Sequence, residues 1–590
     1  MEKEIELQTL RHSTSHIMAQ AVQNIYPQAK LGFGPAIENG FYYDFDIEGV
    51  TLSEDDLKKI EDEMKRLIKE DLRFEKYEIP SSSGIDEQIE EFKQQGEIYK
   101  AELLEEHRNN NPTLYLTKNK DGNVLFNDLC AGPHLENTRS IKAFKLLSVA
   151  GAYWRGNEKN KMLQRIYATA FLTKDELGAY LTMLEEAAKR DHRKLGTQLE
   201  LFSLHNEVGG GLVLWHPNLS VVREEIENYW RTEHRKRGYD IVYSPHIAKS
   251  ELWETSGHMG YYRENMYIIQ DDDTEYVLKP MNCPFHILMY ASTRHSYRDL
   301  PLRLAELGTV YRNEKSGALA GMTRVKGFTQ DDAHVFCTPE QMVDEINAII
   351  DFVADTLKMF DMDFEVELST RPEKFVGKIE NWDLSEAGLK KALEIKGLKY
   401  EINEGDGAFY GPKIDFKLKD AIGRTWQGAT IQLDFNLPER FNLKYQDSDG
   451  QLKTPVMLHR VIFGSMERFM GVLIEHYSGA FPAWLSPKQV AVVPIADRHV
   501  EAATKVASDL KASGFKVFLD DRSESMNYKI RECLQDKKIP YVLVLGDREI
   551  ESGKAAVRAR GRGQIGEMDI SEFILKLEIE IATKGREIVE

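Results

Sequence analysis

The sequence predicts a multidomain α+β protein, with an N-terminal α+β domain, a central region on a large antiparallel sheet and a C-terminal α/β domain. Three observations predict it. The chain has 590 residues, more than one hydrophobic core accommodates, since cores stop growing beyond roughly 250–300 residues. Through the middle of the chain many short apolar runs are closed by turn residues, the pattern of antiparallel strands rather than of a regular βαβ series. After Ser486-Pro487, strand-like and helix-like segments alternate instead, which favours parallel pairing.

The elements follow in order. Residues 1–172 alternate apolar runs with turn signals, such as Leu31-Gly-Phe-Gly-Pro and Lys118-Asn-Lys-Asp-Gly-Asn, and form the α+β domain. Thr173-Lys-Asp-Glu176 has the form of a capping box, and Leu177, Leu181, Leu184 and Ala188 then recur at helical spacing, predicting a linker helix over 173–195. The central domain, 196–485, opens with a Gly-rich loop at Gly209. It continues with a helix over 221–237 and a strand ended by Pro245, and then mixes strands, as at 302–304 and 431–435, with helices such as 340–361. In the last domain, 486–590, strands near Val490, Lys516 and Tyr541 alternate with helices over 500–513 and 526–537.

Apolar residues make up 42% and charged residues 29% of the chain, ordinary for a globular protein. No apolar run approaches the ~18 residues of a membrane span, and the acidic start Met-Glu-Lys-Glu matches neither a secretory nor a mitochondrial leader. A cytoplasmic protein without a membrane partner is expected. The net charge of −19 argues against simple coating of nucleic acid. From Pro487 onward 18 Lys/Arg balance 18 Asp/Glu, so nucleic acid contact there would need local patches. Cys130, Cys283, Cys337 and Cys533 are too dispersed for a disulfide framework, which points to a reducing compartment; Cys337 and Cys533 are expected in the core.

Three constellations carry possible chemistry. Cys283, His334 and His459 sit in polar strings, and a Cys/His/His set gives Zn(II) three ligands with one position open. A buried cysteine with structural histidines is the plainer alternative. His12 and His16 are spaced i,i+4, as are Cys130 and His134, which fits a metal site, a hydrolytic acid/base cluster or coincidence. Arg312-Asn-Glu314 ends a strand-like run before a Gly-rich loop, with Arg324 and Lys326 beyond, and Arg468 opens an apolar helix. Such cations suit a nucleotide, although Arg-x-Glu on a strand is also a common exposed ion pair.

Taken in order, the Pro245 segment, Arg312-Asn-Glu314 and Gly464-Ser-Met-Glu-Arg468 resemble the three motifs of class II aminoacyl-tRNA synthetases. The strings Lys279-Pro-Met-Asn-Cys283, Gly327-Phe-Thr-Gln-Asp-Asp-Ala-His334, Leu458-His459-Arg, Arg11-His-Ser-Thr-Ser-His16 and Leu129-Cys-Ala-Gly-Pro-His134 resemble the threonyl-tRNA synthetase family, over residues from about 5 to the C-terminus.

The resemblance implies ligation of L-threonine to tRNA(Thr) with ATP, and one Zn(II) per chain on Cys283, His334 and His459. It implies Asp332, Gln330, Tyr410 and Gln432 around threonine. For ATP it implies Arg312 on the α-phosphate, Glu314 and Phe328 on adenine, Arg324 and Arg468 on the terminal phosphates, and Mg(II). His258 is implied in transfer to the tRNA ribose. The N-terminal domain resembles an editing domain that hydrolyses seryl-tRNA at His12, His16, Cys130 and His134, with Asp128, Lys100 and Tyr43, and without metal. The C-terminal domain resembles an anticodon-binding domain, with Glu549, Arg558 and Arg560 as candidate contacts. Motif 1 implies a homodimer.

Three departures stand out. The chain starts directly at the editing motif, where many members begin with a small additional domain. Gly428 and Ala429 stand where cysteine and glycine are common, with an altered threonine-pocket floor as the expectation. Ala320 stands where a histidine is common.

Overall fold

The computed structural model describes residues 2–79 and 82–590. They form two compact units, residues 1–185 and 186–590.

In the first unit the helix Glu2–Ile25 buries Ile17, Met18, Ala21 and Val22 completely, in one core with Phe41, Tyr43 and Phe45. Those aromatics alternate along Gly40–Asp46, an inner strand of a five-stranded sheet, which pairs antiparallel with Met162–Phe171. A separate three-stranded sheet, Arg73–Glu78, Thr113–Lys118 and Val124–Leu129, ends immediately before Cys130. The stretch expected as one linker helix contains Lys174–Arg190, none of whose residues is buried, and then a second helix, His192–Gln198. Asp191 caps the second helix by accepting from the Arg193 amide at 2.8 Å, which satisfies an N-terminal donor and starts the new helix there.

The second unit is built on an eight-stranded sheet. Its order is Asp240–Ile241, Leu302–Tyr311, Gly327–Cys337, Val456–Ser465, Thr425–Asp434, Lys413–Lys419, Asp363–Ser369 and Glu401–Asn403. Pairing is antiparallel except at the two edges, Asp240–Ile241 and Glu401–Asn403, which run parallel to their neighbours. The sheet is therefore mixed, with an antiparallel centre. Strand alternation divides its faces. Ala333, Val335, Ile431, Leu433 and Leu458 enter the core with Ile346, Ile349 and Val353 of the helix Met342–Met359. Their neighbours Asp332, His334, Gln432 and His459 project from the opposite face, where the candidate site lies.

The last domain has a five-stranded sheet in which Val517–Leu519, Val490–Pro494 and Tyr541–Leu545 pair parallel. Lys554–Ala559 and Gly563–Asp569 then add as antiparallel strands. The expected helix over 526–537 is an α-helix only over Met526–Arg531; a π-helical turn, Glu532–Asp536, follows.

Candidate functional site

Register assembles the central site. His334 stands opposite His459, and His459 opposite Gln432, while Cys283 begins the helix Cys283–Ala291. Candidate ligand atoms of Cys283, His334 and His459 all lie within 4.8 Å of one another. His334 Nε2 and His459 Nδ1 face each other at 3.0 Å. The outward nitrogens are held in turn: His459 Nε2 meets Asp434 Oδ2 at 2.9 Å, and His334 Nδ1 meets His286 Nδ1 at 2.8 Å. His286 Nε2 lies 3.3 Å from Glu306 Oε2. Outer partners of this kind set the tautomer of metal-binding histidines, so the donor set and its surroundings fit a three-ligand Zn(II) site.

These side chains line a cavity of about 200 Å3 together with Arg312, Gln330, Asp332, Tyr410, Thr430, Gln432 and Arg460. Asp332 is buried and accepts from Asn282 Nδ2 at 3.1 Å. Gln330 Oε1 is buried without a hydrogen-bond partner, an orphaned acceptor of the kind a ligand satisfies. Burial pushes the Asp332 carboxyl and the Cys283 thiol up, and the His334 imidazolium well below its ordinary range, because each charged form loses its hydration.

Beside the cavity the arginines converge. Arg312 lies over the Phe328 ring at 5.2 Å and donates to the Pro280 carbonyl at 3.2 Å. Arg468 occupies the first turn of Met466–His476 and donates through Nε to the Thr323 carbonyl at 3.0 Å. Its pKa is lowered by burial and then by the neighbouring cations Arg312 and Arg324, which disfavour a further positive charge. Arg324 pairs with Glu314 at 2.9 Å. His258 is fully buried, with Nδ1 2.7 Å from Ser256 Oγ and Nε2 unpartnered; burial brings it down to about 3.

In the first unit, Cys130 Sγ lies 3.2 Å from both His12 Nε2 and His134 Nε2, and His16 Nδ1 is 3.5 Å from Asp128 Oδ2. Tyr43 donates to Asp128 at 2.6 Å, and Lys100 donates to Tyr43 at 2.8 Å and also pairs with Asp128. Donor atoms of His12, His16, Cys130 and His134 all lie within 4.8 Å of one another, which joins the two groups, so that all seven residues singled out in the sequence stand together. Burial lowers His12, His16 and His134 and pushes the Cys130 thiol up to about 12, leaving neutral bases and a neutral thiol. A cavity of about 610 Å3, lined by Phe33, Leu129, Cys130 and Trp154 among others, opens beside them.

Comparison with known proteins accords with this geometry. The model of the class II tRNA synthetase core domain (G, H, P, S and T) matches residues 264–477, the anticodon binding domain 489–579, and the threonyl and alanyl tRNA synthetase second additional domain 118–167. Threonine–tRNA ligase of Clostridium tetani is 55% identical over 573 residues, covering 97% of this chain and 88% of the relative. That of Dehalococcoides mccartyi strain CBDB1 is 54% identical, covering 99% and 98%. The chain belongs to the threonine–tRNA ligase family. Among solved structures, a crystal structure titled as the RNA binding domain of threonyl-tRNA synthetase from Cryptosporidium parvum superposes with a TM-score of 0.64. Its identity is 43%, over 66% of this chain and 98% of that one.

The departures from the family pattern take a physical form. Gly428 sits at a bulge between Thr425–Asp434 and Lys413–Lys419. A Cβ there would lie 2.5 Å from Leu418 Cγ and 2.9 Å from the Phe416 carbonyl. Ala429 is fully buried in the apolar core. Neither lines the cavity, which corrects the expectation of an altered pocket floor. Ala320 pairs with Arg324 across a tight turn, donating to its carbonyl at 3.1 Å.

In the C-terminal domain Glu549 caps its own helix by accepting from the Gly546 amide at 3.0 Å, and Arg558 lies on Lys554–Ala559. Arg560 departs from expectation. Its guanidinium donates to the Ala480 carbonyl at 2.8 Å, to that of Phe481 and to that of Lys538, so it anchors the domain to the end of the central one instead of facing a ligand. Sequence reasoning missed His286, Asp434, Thr430 and Arg460. Their proximity to Cys283, Gln432 and His459 in sequence was the available signal.

Proposed function

We propose that this chain ligates L-threonine to tRNA(Thr) through threonyl-adenylate, with Zn(II) on Cys283, His334 and His459, and hydrolyses seryl-tRNA(Thr) at a second site. The observation that carries this is the 200 Å3 cavity, where a three-donor metal set, a buried carboxylate and an arginine converge. Zn(II), when bound, supplies Lewis-acid ligation for the amino and hydroxyl groups of threonine, and valine lacks the hydroxyl.

Asp332 accepts from the threonine hydroxyl, and Gln330, Tyr410 and Gln432 surround the amino acid. Arg312 bridges the carboxylate and the α-phosphate while the carboxylate displaces pyrophosphate, a step that positioning and charge neutralisation govern. Phe328 stacks on adenine, Glu314 accepts from its amino group, and Arg324 and Arg468 hold the terminal phosphates with Mg(II). Binding of ATP therefore opens the Arg324–Glu314 pair. His258, a neutral base with a free Nε2, accepts the proton of the attacking ribose hydroxyl as AMP leaves.

Serine carries the same amino and hydroxyl groups and is one methyl smaller, a difference worth only ~1–3 kcal/mol, so a second site is needed. His12, His16, Cys130 and His134 provide it by orienting water in a metal-free pocket, with Asp128, Lys100 and Tyr43 holding the frame. Glu549 and Arg558 serve the anticodon. Tyr243, Ile247 and Leu288, exposed at 80%, 45% and 47% near motif 1, support a homodimer. Among the described residues no helix is long and apolar enough to cross a membrane, in keeping with work in the cytoplasm.

The test is ATP–pyrophosphate exchange with threonine, serine, valine and proline, alongside zinc determination. Strong exchange with threonine, weaker with serine, none with valine and one zinc per chain are expected. A folded, zinc-loaded protein without exchange would overturn the reading, and two zincs per chain would make the N-terminal cluster a metal site.

A further inference from the structure

We propose that His192, far in sequence from all three class II motifs, is a positioning residue that holds the ATP-binding turn of motif 2 against the motif 3 helix. The proposal rests on the synthetase reading above. His192 is 5% exposed and opens the second linker helix. Its Nε2 accepts the Met322 amide at 3.0 Å, so the ring proton is on Nδ1, which donates to Glu475 Oε1 at 2.7 Å; the His192 amide donates to the same oxygen at 3.0 Å.

Both partners lead to ATP-binding arginines. Glu475 is near the end of the helix whose first turn carries Arg468, and its other oxygen accepts from Arg424 at 2.5 Å. Met322 lies in the turn between Ala320 and Arg324, whose amides and carbonyls bond reciprocally at 3.1 and 3.2 Å, and the next carbonyl, Thr323, accepts from Arg468. The turn is pressed onto the imidazole. Gly321 has φ +50, and a Cβ there would stand 2.1 Å from His192 Nε2.

Asp191, His192 and Glu475 bring metal-type atoms together. Both His192 ring nitrogens and both Glu475 oxygens are nevertheless engaged by protein groups, which makes the cluster a hydrogen-bond relay. Without the Nε2 acceptor, the buried Met322 amide loses its partner, the turn is released, and Arg324 and the Thr323–Arg468 contact lose register with the phosphates.

The experiment measures KM for ATP and for threonine in pyrophosphate exchange, together with thermal melting and zinc content. His192→Ala is expected to raise KM for ATP about tenfold, equivalent to ~1.4 kcal/mol, with KM for threonine and zinc content held. His192→Gln, which restores an acceptor, recovers most of the loss. Gly321→Ala, which drives a methyl against Nε2 from the other side, raises KM for ATP as well and serves if His192→Ala does not fold. A folded His192→Ala with unchanged KM for ATP, both KM values rising together, no recovery in His192→Gln, or an unaffected Gly321→Ala overturns the proposal. Absence of threonine-dependent exchange in the parent protein would overturn the synthetase reading instead.

Discussion

Asp434→Asn is an isosteric change that should cost zinc affinity through one proton. Asp434 is fully buried, and its Oδ1 accepts the Asn436 and Leu437 amides at 2.6 and 3.0 Å while Oδ2 meets His459 Nε2 at 2.9 Å. After substitution, the one carbonyl oxygen must stay on the two backbone donors, since the alternative leaves two buried amides facing an NH2 group. The NH2 then faces His459 Nε2, which must offer a lone pair. The ring proton moves to Nδ1, the atom that faces His334 Nε2 at 3.0 Å, and a protonated nitrogen does not ligate. Loss of such an outer partner weakens metal affinity by about 10–100-fold, or ~1.4–2.7 kcal/mol. Chelator competition reads the zinc Kd directly. KM for ATP is unchanged, because no ATP-binding side chain is touched, while KM for threonine rises at limiting zinc. A zinc Kd within about twofold of the parent protein would refute the tautomer argument.

Gly428→Cys, which restores the residue common in the family, is expected to lower stability by about 1–3 kcal/mol through overpacking against Leu418, seen as a lower Tm of the second unit with KM for threonine unmoved. Lys100→Met leaves the Asp128 carboxylate buried beside Tyr43 without its cation, costing about 3–5 kcal/mol in the first unit; seryl-tRNA hydrolysis falls at least ~100-fold while threonine-dependent exchange persists. For pH, burial brings the folded His258 value to about 3. The folded state therefore binds fewer protons than the unfolded one, and stability falls as pH drops from about 6.5 towards 3. His258→Gln flattens that slope in acid unfolding, and single-turnover transfer by the parent protein shows no loss attributable to His258 between pH 8 and 5.

Much of the chemistry is legible in the amino-acid sequence. Strand alternation marks Asp332 and His334 against Ala333 and Val335, and the motif strings name the arginines and the three candidate metal donors. The helical spacing of His12 and His16 sets both rings on one face. Turn and proline signals likewise separate the α/β C-terminal domain from the mixed, centrally antiparallel sheet before it. These features are local, since they depend on periodicity and on the chemistry of neighbouring side chains.

What only the tertiary structure decided depends on register and on partners distant in the chain. His334 meets His459, 125 positions further along the chain, because the two strands hold one register from Asp332 to Cys337, and a slip of one residue there would turn the slipped strand's ring into the core. The bulge that crowds a side chain at position 428 is a mismatch between two strands, invisible in either alone. Arg560 looks like a free cation in its basic run, yet three backbone carbonyls take its donors. His192 looks like an ordinary helix residue until folding sets Glu475 on one nitrogen and Met322 on the other. A side chain's type is written in the sequence, but which groups satisfy it is fixed by which segments pack together, and that alone determines its tautomer, its charge and its availability to a ligand.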